Sequence, residues 1–81
     1  MKFSQVNDYR KKSPDLKFQL YRDGEYIHAR YNPITKEYDC LQSDDDGETY
    51  YTCTHTAADL NRADVLSVEV WKDERMQKVL F

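Results

Sequence analysis

The chain has 81 residues, sixteen of them Leu, Ile, Val or Phe, which limits it to one domain with a modest core. Its formal charge of −3 weighs against general nucleic-acid binding, and no apolar run approaches membrane length. No signal-peptide pattern opens it, so the expected location is the cytoplasm.

The charge is unevenly spread. Residues 1–22 carry six Lys/Arg against two Asp, and residues 37–64 carry eight Asp/Glu against one Arg. Such polarity steers a molecule toward charged partners, or it marks two ordinary solvated faces. Seven Tyr and one Trp add apolar area of the kind that settles in half-buried places.

In chain order, Phe3, Val6 and Tyr9 recur at helical spacing behind Ser4, a candidate cap. They predict a short N-terminal helix that Ser13-Pro14 ends, because proline disfavours helical geometry before it. Leu16, Phe18 and Leu20 then alternate with Lys17, Gln19 and Tyr21, the pattern of a half-buried strand. Asp23-Gly24 suits a two-residue type I′ turn. That turn sets Leu20 opposite Ile27, Phe18 opposite Ala29 and Leu16 opposite Tyr31.

A second turn at Asn32–Lys36 sets Tyr31 opposite Tyr38 and Ala29 opposite Cys40. A third, at Asp46-Gly47, sets Cys40 opposite Cys53 and Gln42 opposite Tyr51. All three turns agree on one core face, which fixes register. The predicted strands are 16–22, 25–32, 37–43 and 48–54.

Thr56-Ala57-Ala58-Asp59 reads as a capping box with Asp in place of Glu, opening a helix through about Ala63. Leu66, Val68 and Val70 alternate with Ser67, Glu69 and Trp71 as a further strand. Lys72–Arg75 turns the chain into Met76–Phe81, which fits a strand or a helix. The expected fold is a single α+β domain over residues 1–81. It consists of a four-stranded antiparallel meander with one or two short helices packed on one face, plus a C-terminal strand or hairpin.

The same registers define an outer face with rows Tyr21–Tyr26–Ser43–Tyr50, Gln19–His28–Leu41–Thr52 and Lys17–Arg30–Asp39–Thr54. Tyr and Arg anchor protein interfaces, so Tyr21, Tyr26, His28, Arg30 and Tyr50 form the candidate partner-binding patch. Plain cross-strand packing on a solvated face is the competing explanation. Base stacking on the same rings is disfavoured by the acidic balance.

Other chemistry is weaker. Cys40, Cys53, His28 and His55 lack zinc-ligand spacing, and His28 falls on the opposite face from the cysteines. Cys40 and Cys53 are expected as reduced small hydrophobes, although counting from a two-residue turn makes them a non-hydrogen-bonded pair, which could be bridged. Asp44–Glu48 fails the calcium-loop spacing, because Gln42 and Cys53 would occupy ligand positions. Cys53, His55 and Asp59 are close in sequence without an evident cleft. No cofactor, metal site or catalytic residue is expected.

The stretch Phe18-Gln19-Leu20-Tyr21-Arg22-Asp23-Gly24-Glu25-Tyr26-Ile27-His28-Ala29-Arg30 resembles a hairpin of small phage-encoded anti-CRISPR proteins of the type I-F class. Tyr21, Gly24, Ile27, Ala29 and Arg30 match, with Asp23 in place of Asn, and the Met1-Lys2-Phe3 opening matches too. The hairpin covers about a sixth of the chain; the family's other contact positions, near the start and after the hairpin, are not reproduced and fall on Asn7 and Asn32. The resemblance implies an α+β fold and binding to backbone subunits of a CRISPR surveillance complex in a bacterial host cell. It carries Tyr21 over as a contact residue.

The expectation is therefore a non-enzymatic protein-binding inhibitor whose partner is a CRISPR surveillance complex or another host defence protein. It would have no direct contact with nucleic acid or membrane. One alternative is a self-associating structural or regulatory module, a homodimer through the Tyr row. Another is a small ribonuclease toxin built on His28, Arg30 and Lys17.

Overall fold

Alternating apolar residues dominate the sequence from Leu16 onward, and the chain answers with one six-stranded antiparallel sheet. The computed structural model describes residues 1–11, 16–72 and 74–80. The strands are β1 (Leu16–Arg22), β2 (Glu25–Asn32), β3 (Glu37–Ser43), β4 (Tyr51–His55), β5 (Asp64–Lys72) and β6 (Arg75–Leu80). Their spatial order is β4-β3-β2-β1-β5-β6. Among the described residues, helical structure is confined to two short 3-10 segments, Phe3–Gln5 and Asn7–Lys11, and the four-residue α1, Ala57–Leu60.

These proportions overturn the α+β expectation. The fold is nearly all-β, and the meander is part of a larger sheet. The reason is the non-local pairing of β1 with β5, antiparallel from Leu16↔Val70 to Tyr21↔Asp64. It places the C-terminal hairpin in the same sheet rather than beside it. The segment left open between strand and helix is β6, paired to β5 from Lys72↔Arg75 to Val68↔Leu80.

The turns set the registers read from the sequence. Asp23 and Gly24 both have positive φ, 50° and 84°, and Leu20↔Ile27 and Phe18↔Ala29 follow. The carboxamide of Asn32 accepts from Ile34 N (2.9 Å) and Thr35 N (3.3 Å), closing the second turn with Tyr31↔Tyr38 and Ala29↔Cys40. Cys40↔Cys53 and Gln42↔Tyr51 hold across β3 and β4.

The third connection is longer than a two-residue turn. Asp46 and Gly47 have positive φ, 66° and 87°, but β4 begins at Tyr51 rather than at residue 48. The Asp45 carboxylate shapes this loop. It accepts from Ser43 Oγ at 2.7 Å, from Thr49 N at 2.9 Å and from Thr49 Oγ1. These donors favour the charged form and hold Asp45 down to about 2.

The longer loop also changes the status of the cysteine pair. Hydrogen bonding alternates along antiparallel strands. Counted from the two-residue turn at Asp23-Gly24 through β2 and β3, Cys40↔Cys53 is a hydrogen-bonded pair, not the non-hydrogen-bonded one. The two thiols are free.

A second local surprise lies in β5. Phe18 pairs with Val68, Gln19 with Ser67 and Leu20 with Val65, so one extra residue bulges opposite the Gln19–Leu20 step. The simple alternation fails there: Val65 and Val68, three apart, are both buried, and Leu66 is 46% exposed.

The core lies on one face. Phe3, Phe18 and Tyr38 meet edge to face, with ring centroids 5.3 Å apart for Phe3–Phe18 and 5.2 Å for Phe3–Tyr38. Val6, Leu16, Leu20, Ile27, Leu60, Ala63, Val65 and Val68 complete it. Phe3 reaches the core because Lys2 bridges Asp64, Val65 N donates to Met1 O (2.8 Å) and Phe3 N donates to Ala63 O (2.9 Å). The first helical segment is capped from Lys2, not Ser4, and is 3-10 rather than α. The expected stop at Ser13-Pro14 lies outside the described residues, as do Asp73 of the last turn and Phe81. The capping box forms as read, Asp59 N donating to Thr56 Oγ1 (3.2 Å) and Thr56 N to Asp59 Oδ2 (3.1 Å), although α1 ends at Leu60.

Candidate functional site

Because side chains alternate along a strand, the registers that bury Phe18 and Ile27 turn Lys17, Gln19, Tyr21 and His28 to the other face. Extended through β5, the rows become Asp64–Tyr21–Tyr26–Ser43, Ser67–Gln19–His28–Leu41–Thr52 and Glu69–Lys17–Arg30–Asp39–Thr54. The N-terminal segments and α1 bury Phe3, Val6 and Leu60 on the core side. The outer face carries an open hollow of about 980 Å³, lined by Lys17, His28, Arg30, Leu41, Thr52 and Met76 among others. Met76 lies on β6, the edge opposite β4 in the strand order, yet shares the hollow with Thr52. The sheet therefore curls around its outer face.

Four of the five candidate residues sit where the registers put them. Tyr21 and Tyr26 pair across β1 and β2 with ring centroids 5.2 Å apart and planes at 63°. Arg30 is exposed beside Asp39. Tyr50 departs from its row. It lies in the loop before β4, and its ring meets His28 edge to face at 5.2 Å instead of joining the Tyr pair. Ser43, its expected neighbour, is buried, with Oγ donating to Asp45 and accepting from Gly47 N (2.9 Å).

Burial, followed by the nearby Lys17 charge, holds His28 below its ordinary imidazole value, against a smaller opposing pull from Glu69. His28 is thus neutral at neutral pH. Glu69 in turn is held by Gln19 Nε2 (2.8 Å) and Ser67 Oγ (3.2 Å). The row Glu69–Lys17–Arg30–Asp39 flanks two bases with two acids; Lys17, Arg30 and Asp39 of this row line the hollow. Ser67, Glu69 and Met76 were not legible as site residues, because nothing local in sequence announces which strand flanks β1.

The opposite end of the inner face holds a polar network around Gln42, which is buried. Its Oε1 accepts from His55 Nε2 (2.7 Å) and from Cys53 Sγ (3.5 Å), and its Nε2 donates to Glu25. Arg22 approaches Glu25 at 3.8 Å and donates to Asp59 O at 2.6 Å. The signal for Gln42 was present in the alternation: it is a polar residue at a core-facing position after Tyr38 and Cys40. His55 Nδ1 stands 3.9 Å from Asp59 Oδ2. His55 Nε2 is thus committed to Gln42 rather than to Cys53. Burial, with Cys53 close by, pushes the Cys40 thiol up to about 12, and burial also raises Cys53. Neither sulfur is set up as a thiolate nucleophile.

Among the described residues, no group of three or more His, Cys, Asp or Glu stands close enough to hold a metal ion, and no helix is long and apolar enough to cross a membrane. No protein family, curated protein or solved structure matches the chain.

Proposed function

We propose that the protein is a non-enzymatic inhibitor that binds a bacterial nucleic-acid-handling complex through the outer sheet face carrying Tyr21, Tyr26, His28, Arg30 and Tyr50. The observation that carries this reading is the outer face itself: it carries a hollow lined by His28 and Arg30, Tyr50 against His28 and the Tyr21–Tyr26 pair, with the packed core on the other side. Interface anchors are typically aromatic and Arg side chains set in partly desolvated hollows. The cross-strand row of this face favours a protein surface over a phosphate backbone, which would meet Glu69 and Asp39 as well as Lys17 and Arg30. The hairpin resemblance points to a type I-F CRISPR surveillance complex as the partner, in the cytoplasm of a bacterial host.

The test is target-DNA binding by a purified type I-F surveillance complex, with and without this protein. Wild type is expected to weaken DNA binding at least tenfold, and Tyr21→Ala/Tyr26→Ala to leave it unaffected. DNA binding unchanged by wild type would remove that complex as the partner. Inhibition retained by the double variant would remove the assigned face.

A further inference from the structure

β4 is an edge of the sheet, and it is unprotected. Because Cys53 directs its backbone groups toward Cys40, the alternation sends the N–H and C=O of Thr52 and Thr54 outward, away from β3. No backbone hydrogen bond from another described segment meets them, and both residues are exposed. Edge strands are normally guarded by Lys, by Pro or by a bulge. The β4 sequence Tyr-Thr-Cys-Thr-His has no Lys, Arg, Asp, Glu or Pro, and its pairing with β3 runs without a register shift. The opposite edge strand, β6, carries Arg75 and Lys78.

We propose that β4 is a dimerisation strand, occupied by β4 of a second copy running antiparallel about a two-fold axis at Cys53. The strand is self-complementary in that register. Thr52 of one copy faces Thr54 of the other, so the outward N–H and C=O groups of both strands satisfy one another. Thr–Thr contacts on the outer face and a Tyr51–His55 contact on the inner face flank the axis, and such cross-strand pairs stabilise sheets. No carboxylate, Lys or Arg meets its like across the axis, because the strand carries none. A two-fold axis perpendicular to the sheet leaves both outer hollows on the same side, and Thr52 and Thr54 line both. The dimer therefore presents one continuous concave surface.

The experiment is light-scattering mass over a concentration series, paired with amide exchange by NMR. Wild type is expected to rise from 9.7 kDa to twice that mass. The Thr52 and Thr54 amides are expected to slow at least tenfold as concentration rises, while the Cys53 amide, already inside the sheet, does not change. Thr54→Pro deletes an N–H that its own sheet does not use, so it should keep the circular dichroism spectrum and remain monomeric. Thr52→Lys/Thr54→Lys, which guards the edge without altering the backbone, should do the same. The Tyr21→Ala/Tyr26→Ala variant should still dimerise, so the edge and the outer-face readings fail separately. A wild type that keeps the single-chain mass at millimolar concentration overturns the proposal. So does a folded Thr54→Pro or double-Lys variant that still doubles, or a Thr54 amide whose exchange ignores concentration.

Discussion

The two faces of the sheet use the same kind of residue in opposite ways. On the inner face Phe3, Phe18 and Tyr38 have no exposure and lock one another edge to face. On the outer face Tyr21, Tyr26 and Tyr50 pair with one neighbour each and keep part of their surface in solvent. Aromatic content alone therefore does not separate core from contact surface; the number of covered sides does. The inner rings are covered by the helical segment that carries Phe3, and the outer rings have the sheet beneath them and solvent on the other side.

Substitutions should divide along this line. Phe18→Ala leaves a cavity between Phe3 and Tyr38, and denaturant unfolding is expected to show a loss of about 3–5 kcal/mol. Gln42→Leu strands the His55 and Glu25 partners of a buried amide, for a loss of about 1–3 kcal/mol in the same measurement. Tyr21→Ala/Tyr26→Ala should cost only about 0.5–1.5 kcal/mol, the scale of an aromatic pair, with the spectrum of the folded state retained. An outer-face cost equal to that of Phe18→Ala would erase the distinction.

Two pH effects sharpen it further. His28 is depressed in the folded state, so the unfolded chain takes up its proton first. The neutral ring's contribution is complete above pH 6.5 and is lost as pH falls from there through the lower folded value. His28→Gln should flatten that part of a stability-versus-pH curve. Asp45 behaves as a depressed carboxylate. Its contribution is present above its ordinary value of 3.8 and is lost as pH falls through about 2. NMR titration should find the Asp45 midpoint near 2 in wild type and closer to 3.8 in Thr49→Val.

The meander was legible because each of its pairings is local. Asp23-Gly24 and Asn32 carry turn chemistry, and the apolar partners fall on one face in every register. The outer rows followed from the same arithmetic, which is why Tyr21, Tyr26, His28 and Arg30 were found. What was missed is non-local or irregular. The β1–β5 pairing turned an expected α+β fold into a nearly all-β one, and the bulge at Leu66 defeated simple alternation. The Asp45-centred loop kept the register of a two-residue turn but moved Tyr50 off the strand. The curl that brings Met76 to the hollow depends on strand order, which periodicity does not encode.

The position of β1 has a kinetic consequence. One of its edges meets β2 across two residues, whereas the other must wait for a strand that begins at Asp64. Closing so long a loop is entropically slow, and proteins rich in distant contacts fold slowly. The meander can zip from its own turns while half of β1 still faces water. Docking of the β5–β6 hairpin, guided by the Met1–Phe3 clamp on Asp64 and Val65, then becomes the event that sets the folding rate. Truncating that clamp would slow folding more than weakening any turn.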